Sequence, residues 1–315
     1  MKIAFHSGYL GYRGTEVALI DYAWGSREIL GHEPFFLLPG RSGAEEHPVV
    51  AAMRATSPVR FYRTPDEREN ILREEEADFF YCIKNGCNDG VFSRRVTTGV
   101  HAIFRESEFH GDIYAYVSPW LSEVMSYGKA ARVPHMVRLA EGGETLRHEL
   151  GIPAGAVVFG RHGGEDSFDL PIAQQAILEV ARDHPERYFL FLNTRTFGKA
   201  HRHPNIIFLP PTADPGRKRA FLDTCDAMVH GRCRGETFGL SVAEFAFLGK
   251  PVFTYPDSPE QGHLAWVPQK KFRYRSSHEL AVGLATFEPQ LTPSPCGELA
   301  PSKVMQVFQQ VFLER

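Results

Sequence analysis

Short apolar segments alternate with helical segments along the chain, and this alternation constrains the fold more than any other feature of the sequence. A strand-like segment at residues 2–5 leads through a glycine-rich loop into a helical stretch over about residues 15–30. After Gly31, the segment EPFFLLP returns to the strand-like pattern. Parallel strands need a crossover long enough to hold a helix, so strands that alternate with helices predict parallel sheets. The sequence therefore predicts an α/β protein.

The length of the chain predicts two domains, because 315 residues exceed what one hydrophobic core usually holds. The alternation is interrupted by the run ARVPHMVRLAEGGETLRHELGIPAG, which mixes proline, glycine and both signs of charge. We place the domain boundary near Val133, with a first domain over residues 1–133 and a second over residues 134–300. Apolar residues recur at helical spacing over residues 301–315, which we expect to form a helix that packs back on the first domain.

Composition excludes several classes of function. The net charge of −3 offers no general attraction for nucleic acid, and the five scattered cysteines include no C-x-x-C pair of the kind that binds zinc. The segment MKIAFHSG lacks the apolar stretch expected of a signal peptide, and no stretch of 18 apolar residues occurs. We therefore expect reduced thiols, no nucleic-acid partner and a cytoplasmic location, with peripheral contact at the inner face of a membrane left open.

Two glutamates mark the stretch HGRCRGETFGLSVAEFAFLGKPV. Glu236 lies in its polar loop and Glu244 in a half-buried helix, where a carboxylate needs a partner. Eight positions along a single helix would leave them about 80° apart. We therefore predict that the helix begins near Leu240, after a tight loop at residues 237–239. Its free N–H groups then form an anion site suited to a diphosphate, which Gly239 allows to approach closely.

Two simpler interpretations stand beside this one. Glu236 would be a solvated loop acid, and Glu244 a helix residue paired with a nearby arginine. The sequence argues against a dinucleotide-dependent hydride transfer, because GYLGYRG lacks the G-x-G-x-x-G spacing and no acidic residue closes the next strand.

The segment from Glu236 to Glu244, followed by GKPV, resembles the E-x7-E signature of retaining GT-B glycosyltransferases of family four. The resemblance implies two Rossmann-like domains with parallel sheets facing a central cleft, the first domain binding the acceptor and the second the nucleotide sugar. It places Glu236 beside the transferred sugar and Glu244 on the ribose. It implies that the intervening backbone binds the diphosphate, at Thr237, Phe238, Gly239 and Leu240.

Other stretches carry the same resemblance. RGTEVALIDYAWGSREILGHEPFFLLP is similar to the N-terminal segment of the group and places Gly14 in the loop facing the donor phosphates. VTTGVHAIF places His101 where many members have a histidine that contacts the donor sugar. VVFGRHGG places Arg161 as the arginine that binds the diphosphate.

Three further residues are weaker candidates for the site. His6 lies at a strand end, and Lys84 and Asp89 would contact the acceptor. The simpler interpretation of the loop that holds Lys84 and Asp89 is an ordinary turn.

The chain departs from the group after Arg161. A lysine usually follows a few residues later, whereas this chain has EDSFD at residues 165–169. Lys199, Arg195 or Arg232 would then have to supply the second cation.

The resemblance implies a metal-independent, retaining glycosyltransferase of the hexosyl type, active in polysaccharide biosynthesis. It would move a sugar from a nucleoside-diphosphate sugar to a glycan or lipid-linked acceptor, with His101 and Glu236 at the reacting sugar. It needs no cofactor, and the sequence contains no D-x-D motif. Two alternatives are a GT-B epimerase of sugar nucleotides and a non-catalytic nucleotide-sugar-binding protein.

Overall fold

A computed structural model describes residues 1–314, which divide into two compact units. Unit 1 comprises Met1–Arg138 and the C-terminal segment that begins at Glu298, and unit 2 comprises Leu139–Gly297. The division after Arg138 falls within the run that interrupts the alternation of strands and helices.

Unit 1 is built around a parallel sheet with the strand order β3-β2-β1-β4-β5-β6-β7. Its strands are β1 (Lys2–Ser7), β2 (Glu33–Pro39), β3 (Val59–Tyr62), β4 (Phe79–Lys84), β5 (Thr97–Ala102), β6 (Ile113–Tyr116) and β7 (Ala131–Arg132). Every residue of β4 is buried, as expected of a central parallel strand covered on both faces. The order reverses between β1 and β4, and in such sheets ligands bind beyond the strand ends at the reversal.

Helices connect these strands. They are α1 (Gly14–Glu28), α2 (Pro48–Thr56), α3 (Pro65–Glu74) and α4 (Pro119–Ser126). The last three each begin with proline, whose missing N–H costs nothing in a first helical turn.

Unit 2 is also built around a parallel sheet, with the strand order β10-β9-β8-β11-β13. Its strands are β8 (Val157–His162), β9 (Arg187–Leu192), β10 (Ile206–Leu209), β11 (Ala227–His230), β12 (Gly235–Glu236), β13 (Val252–Thr254) and β14 (Glu260–Gln261). The helices are α5 (Pro171–Asp183), α6 (Pro215–Thr224), α7 (Leu240–Phe247) and α8 (Ser277–Ala285). The order reverses between β8 and β11, while β12 and β14 pair separately.

The C-terminal helix α9 (Pro301–Phe308) belongs to unit 1 and continues into a π-helical turn at Gln309–Leu313. It packs on α1, where a Cβ at Gly25 would lie 2.6 Å from Cγ of Met305. The ring of Phe308 stacks on Tyr22 with centroids 5.3 Å apart. Gly25 thus lets two helices approach closely over the aromatic core. No helix within residues 1–314 combines the length and the apolar character needed to cross a bilayer.

Candidate functional site

Three neighbouring strands of the unit 2 sheet each end in a polar residue. His162 is the last residue of β8, His230 of β11 and Thr254 of β13. Because the strand order reverses between β8 and β11, the loops after these two strands are where an α/β sheet binds a ligand. The loop after β11 contains Glu236, one of the predicted site residues.

The loop that carries Glu236 is fixed by short-range pairing. Gly235 and Glu236 form β12, which pairs in parallel with β14. Gly235 has φ of +76°, and a Cβ there would lie 1.9 Å from the carbonyl oxygen of Glu260, so only glycine fits. The N–H of Cys233 donates to Asp169 Oδ1 at 2.7 Å, which ties this loop to the loop after β8.

The Glu236 carboxylate is half-buried and surrounded by cationic or polar groups. Arg232 Nη1 donates to Oε2 at 2.6 Å, and His230 Nε2 lies 3.6 Å from Oε1. Burial acts to raise the pKa of Glu236, but His230, Arg232 and His263 outweigh it and lower the pKa from 4.5 to about 2. Glu236 is therefore ionised at neutral pH, and its two oxygens have fixed directions.

Helix α7 begins at Leu240, as the sequence predicts. The preceding Gly239 has φ of +82°, and a Cβ there would lie 2.6 Å from Cβ of His263. Gly239 offers no capping side chain, so no side chain of the cap residue satisfies the N–H groups at the start of the helix. Trp266 Nε1 donates to the carbonyl of Phe238 at 2.9 Å and fixes the loop. The result is a rigid helix N-terminus of the kind that attracts anions.

Thr237 is buried in the same loop, and its carbonyl oxygen packs on Gly262, where a Cβ would lie 2.0 Å away. The structure thus brings Glu236, Thr237, Phe238, Gly239 and Leu240 together at one helix terminus.

Glu244 lies in the interior of unit 2, with 2% of its side chain exposed. Lys218 Nζ donates to Oε1 at 2.6 Å, and His162 Nε2 lies 2.9 Å from Oε2. Burial acts to raise the pKa of Glu244, but Lys218 and His162 lower it from 4.5 to about 2. The buried carboxylate is therefore an ion, with a lysine and a histidine as its partners where the simpler interpretation expects an arginine.

Arg161 is 4% exposed and holds the loops after β8 and β9 in place. Nη1 donates to Thr194 Oγ1 at 2.5 Å and to the Asn193 carbonyl at 3.3 Å. Nη2 donates to Ser167 Oγ at 2.5 Å and to the Gly164 carbonyl at 2.9 Å. Burial lowers the pKa of Arg161 to about 10, so the guanidinium stays charged at neutral pH. This charge interacts with the carboxylate of Glu236, so a fixed positive charge acts on the site.

The three candidates for the second cation differ in position. Arg232 contacts Glu236, whereas Lys199 and Arg195 lie exposed, the latter with Nε 3.6 Å from Glu165 Oε1. The loop after β8 lines a cavity of about 190 Å³ together with Arg195, and it contributes three carboxylates, Glu165, Asp166 and Asp169. Negative charge there disfavours a phosphate on that side of the loop.

Sequence reasoning missed Lys218 and His162, and it missed the pair formed by His230 and Thr254. Lys218 lies on α6 and no motif links it to Glu244. The other three are polar residues that end the neighbouring strands β8, β11 and β13, a position that itself marks the ligand-binding edge of an α/β sheet.

In unit 1, Gly14 is exposed as the first residue of α1. Glu16, two residues later, is buried, and burial raises its pKa to about 7. Lys84 and Asp89 form an ion pair with each other across the loop after β4, and His6 Nε2 lies 2.8 Å from Tyr62 Oη in the interior.

The structure does not bring His101 to a surface of unit 1. The residue is fully buried, its Nδ1 lies 2.6 Å from Tyr81 Oη, and burial lowers its pKa to about 3. Side chains alternate along β5, so Gly99 and His101 share a face of the sheet. Phe312, which follows α9, lies against both of them. His101 is near a strand end, as the sequence indicates, but the C-terminal segment covers that face.

No protein-family model matches the chain, and no curated protein matches it in sequence. Solved structures do match along the whole chain. HepE of Anabaena, solved with UDP and glucose, is 18% identical, with a TM-score of 0.66 over 99% of this chain and 98% of that one. The apo form of the lipopolysaccharide outer core galactosyltransferase WaaB is 13% identical, with a TM-score of 0.61 over 99% of each chain.

The UDP-GlcNAc 2-epimerase from Neisseria meningitidis, solved with UDP-GlcNAc, is 10% identical, with a TM-score of 0.60 over the full length of both chains. These likenesses, together with the two parallel sheets, give the fold class. The chain has the α/β fold of GT-B glycosyltransferases, with two Rossmann-like units.

Proposed function

We propose that the protein is a glycosyltransferase that moves a sugar from a nucleoside-diphosphate sugar to a glycan or lipid-linked acceptor, with retention of anomeric configuration. The observation that carries the proposal is the uncapped N-terminus of α7, where Gly239 opens the backbone between the ionised Glu236 and Glu244. HepE was solved with UDP and glucose and the Neisseria meningitidis epimerase with UDP-GlcNAc, which supports a ligand of this class.

The diphosphate would bind at the first-turn N–H groups from Leu240 onward. When the bond between the sugar C1 and the phosphate oxygen breaks, negative charge grows on the departing diphosphate. Fixed N–H dipoles and cations stabilise such charge without reorganising. Arg161 supplies a charge that its four hydrogen bonds hold in place, and Arg232 supplies a second one beside Glu236. In this proposal protein groups alone stabilise the charge, and no metal takes part.

Glu236 would accept hydrogen bonds from hydroxyls of the transferred sugar. The ribose would lie at the edge formed around Glu244, where Lys218 and His162 are the partly exposed members of the cluster. The proposal leaves His101 out of the reaction, because the ring is fully buried under the C-terminal segment. Gly14 is exposed and keeps its proposed place beside the donor phosphates.

A panel of nucleoside-diphosphate sugars and saccharide acceptors tests this proposal. Purified protein should release nucleoside diphosphate and glycosylate one of the acceptors, and the product anomer, read by NMR, should match the donor anomer. Glu236→Gln should lower kcat by about 100-fold, the scale of losing one preorganised polar contact in a transition state. Glu179→Gln, on the exposed face of α5, is the matched control and should keep wild-type activity.

A second candidate is epimerisation of the sugar nucleotide, favoured by the likeness to the epimerase over the full length of both chains. Incubation of the donor without acceptor separates the two reactions. Detection of an isomerised sugar nucleotide in this incubation would show that the protein is an epimerase and would refute the transferase proposal. Nucleotide binding without any turnover across the panel would instead support a binding protein that has kept the fold.

A further inference from the structure

Two hydrogen bonds in the interior of unit 2 join His263, Thr254 and His230 beside Glu236, and these three residues are absent from the resemblance. His263 Nε2 lies 3.1 Å from Thr254 Oγ1, and the same hydroxyl oxygen lies 2.9 Å from His230 Nδ1. The other ring nitrogen of His230, Nε2, lies 3.6 Å from Glu236 Oε1. His263 and Thr254 are fully buried, and His230 is 4% exposed.

The backbone fixes this arrangement. His230 and Thr254 are register partners on the parallel strands β11 and β13, so their side chains leave the sheet together. Tyr274 holds both strand ends, since its hydroxyl donates to the His230 carbonyl at 2.8 Å and its N–H to the Thr254 carbonyl at 3.1 Å. The rings of His230 and His263 lie 4.5 Å apart. Movement of any one of these side chains would disturb the others.

The hydroxyl of Thr254 couples the proton positions of the two histidines. A threonine hydroxyl has one hydrogen, so it donates to one imidazole nitrogen and accepts from the other. When it donates to His230 Nδ1, a neutral His230 carries its proton on Nε2, directed at Glu236. When it accepts from Nδ1, His230 must be a cation to present a proton at Nε2. Because an ionised carboxylate only accepts, both arrangements that suit Glu236 place an N–H on His230 Nε2.

We propose that Thr254 is a positioning residue: it sets the protonation of His230 so that an N–H faces Glu236 Oε1, while Arg232 holds Oε2. The carboxylate is thereby kept in one orientation toward the sugar. The 3.6 Å separation exceeds a hydrogen bond, so His230 acts on Glu236 through charge and dipole. This inference rests on the proposed function for the role of Glu236, but the arrangement of protons is a property of the unliganded protein.

Two substitutions test the proposal in turnover. Thr254→Val keeps the shape and removes the hydroxyl, and it should lower kcat at least about tenfold while KM for the donor changes less than about twofold, the pattern of a contact used in the transition state. Thr254→Ser restores the hydroxyl and should recover most of kcat. Thr286→Val, on the exposed end of α8, is the control for the loss of a threonine hydroxyl. Wild-type kcat in Thr254→Val would overturn the proposal.

Nitrogen-15 NMR of the histidine side chains supplies a readout that does not depend on activity, with His230 assigned by its loss in His230→Gln. We expect a protonated Nε2 on His230 in the wild type and a changed tautomer population in Thr254→Val. A neutral His230 protonated on Nδ1 in the wild type would overturn the proposal even if Thr254→Val fails to fold. If no donor is turned over, the proposed function fails while this measurement still tests the proton arrangement.

Discussion

Replacing Lys218 by methionine tests whether the buried Glu244 depends on its lysine partner. The change keeps an unbranched apolar stem and removes the ammonium that lies 2.6 Å from Glu244 Oε1. Glu244 is 2% exposed, so water compensates little for the lost cation. Breaking a buried ion pair by removing one partner leaves an uncompensated charge.

The size of the effect follows from the pKa of Glu244, which its partners lower from 4.5 to about 2. A difference of about 2.5 units corresponds to about 3 kcal/mol of stabilisation by all partners together. His162 remains in the variant, so we expect Lys218→Met to lower the free energy of unfolding of unit 2 by about 2–3 kcal/mol at pH 7. The pKa of Glu244 should rise in the variant.

Urea unfolding followed by fluorescence measures this change. Trp266 is the tryptophan of unit 2, so a background with Trp24→Phe and Trp120→Phe isolates its signal. The midpoint should fall while the slope m stays constant. The double variant with Glu244→Gln should recover most of the loss, and Lys199→Met, at an exposed position, should match its background. Superimposable curves for Lys218→Met and the background would show that the ion pair does not stabilise the fold.

Three further outcomes follow from the site. Gly239→Ala should destabilise unit 2 by about 1–3 kcal/mol and weaken nucleotide binding, measured by urea unfolding and calorimetry, because its φ of +82° and the nearby Cβ of His263 both oppose a side chain. The lowered pKa of Glu244 means that its stabilisation is complete above pH 4.5 and is lost as pH falls toward 2, so Glu244→Gln should flatten the dependence of stability on pH over that range. Chelation with EDTA should leave transfer unchanged, and loss of activity that is restored by a divalent cation would contradict the metal-independent mechanism.

The sequence predicts the local parts of the site well and the distant contacts poorly. The start of α7 at Leu240 follows from Gly239 and the apolar pattern beyond it, both within a few residues. The partner of Glu244 cannot be predicted from nearby residues, because Lys218 lies 26 residues away on another helix and only the packing of α6 brings it near. His101 shows the same limit. Its place on β5 is readable from the alternation, but what covers that face is decided by Phe312 at the far end of the chain.

Helix α9 belongs to unit 1 but follows unit 2 in the chain, and this affects the order in which the two units fold during protein synthesis. Unit 2 is continuous from Leu139 to Gly297, whereas unit 1 needs both Met1–Arg138 and the segment from Glu298. While a ribosome is still translating unit 2, the aromatic surface of Tyr22 and Tyr81 that Phe308 covers is open to solvent or to a chaperone. Unit 2 can therefore complete its core before unit 1, which closes only when translation has delivered α9.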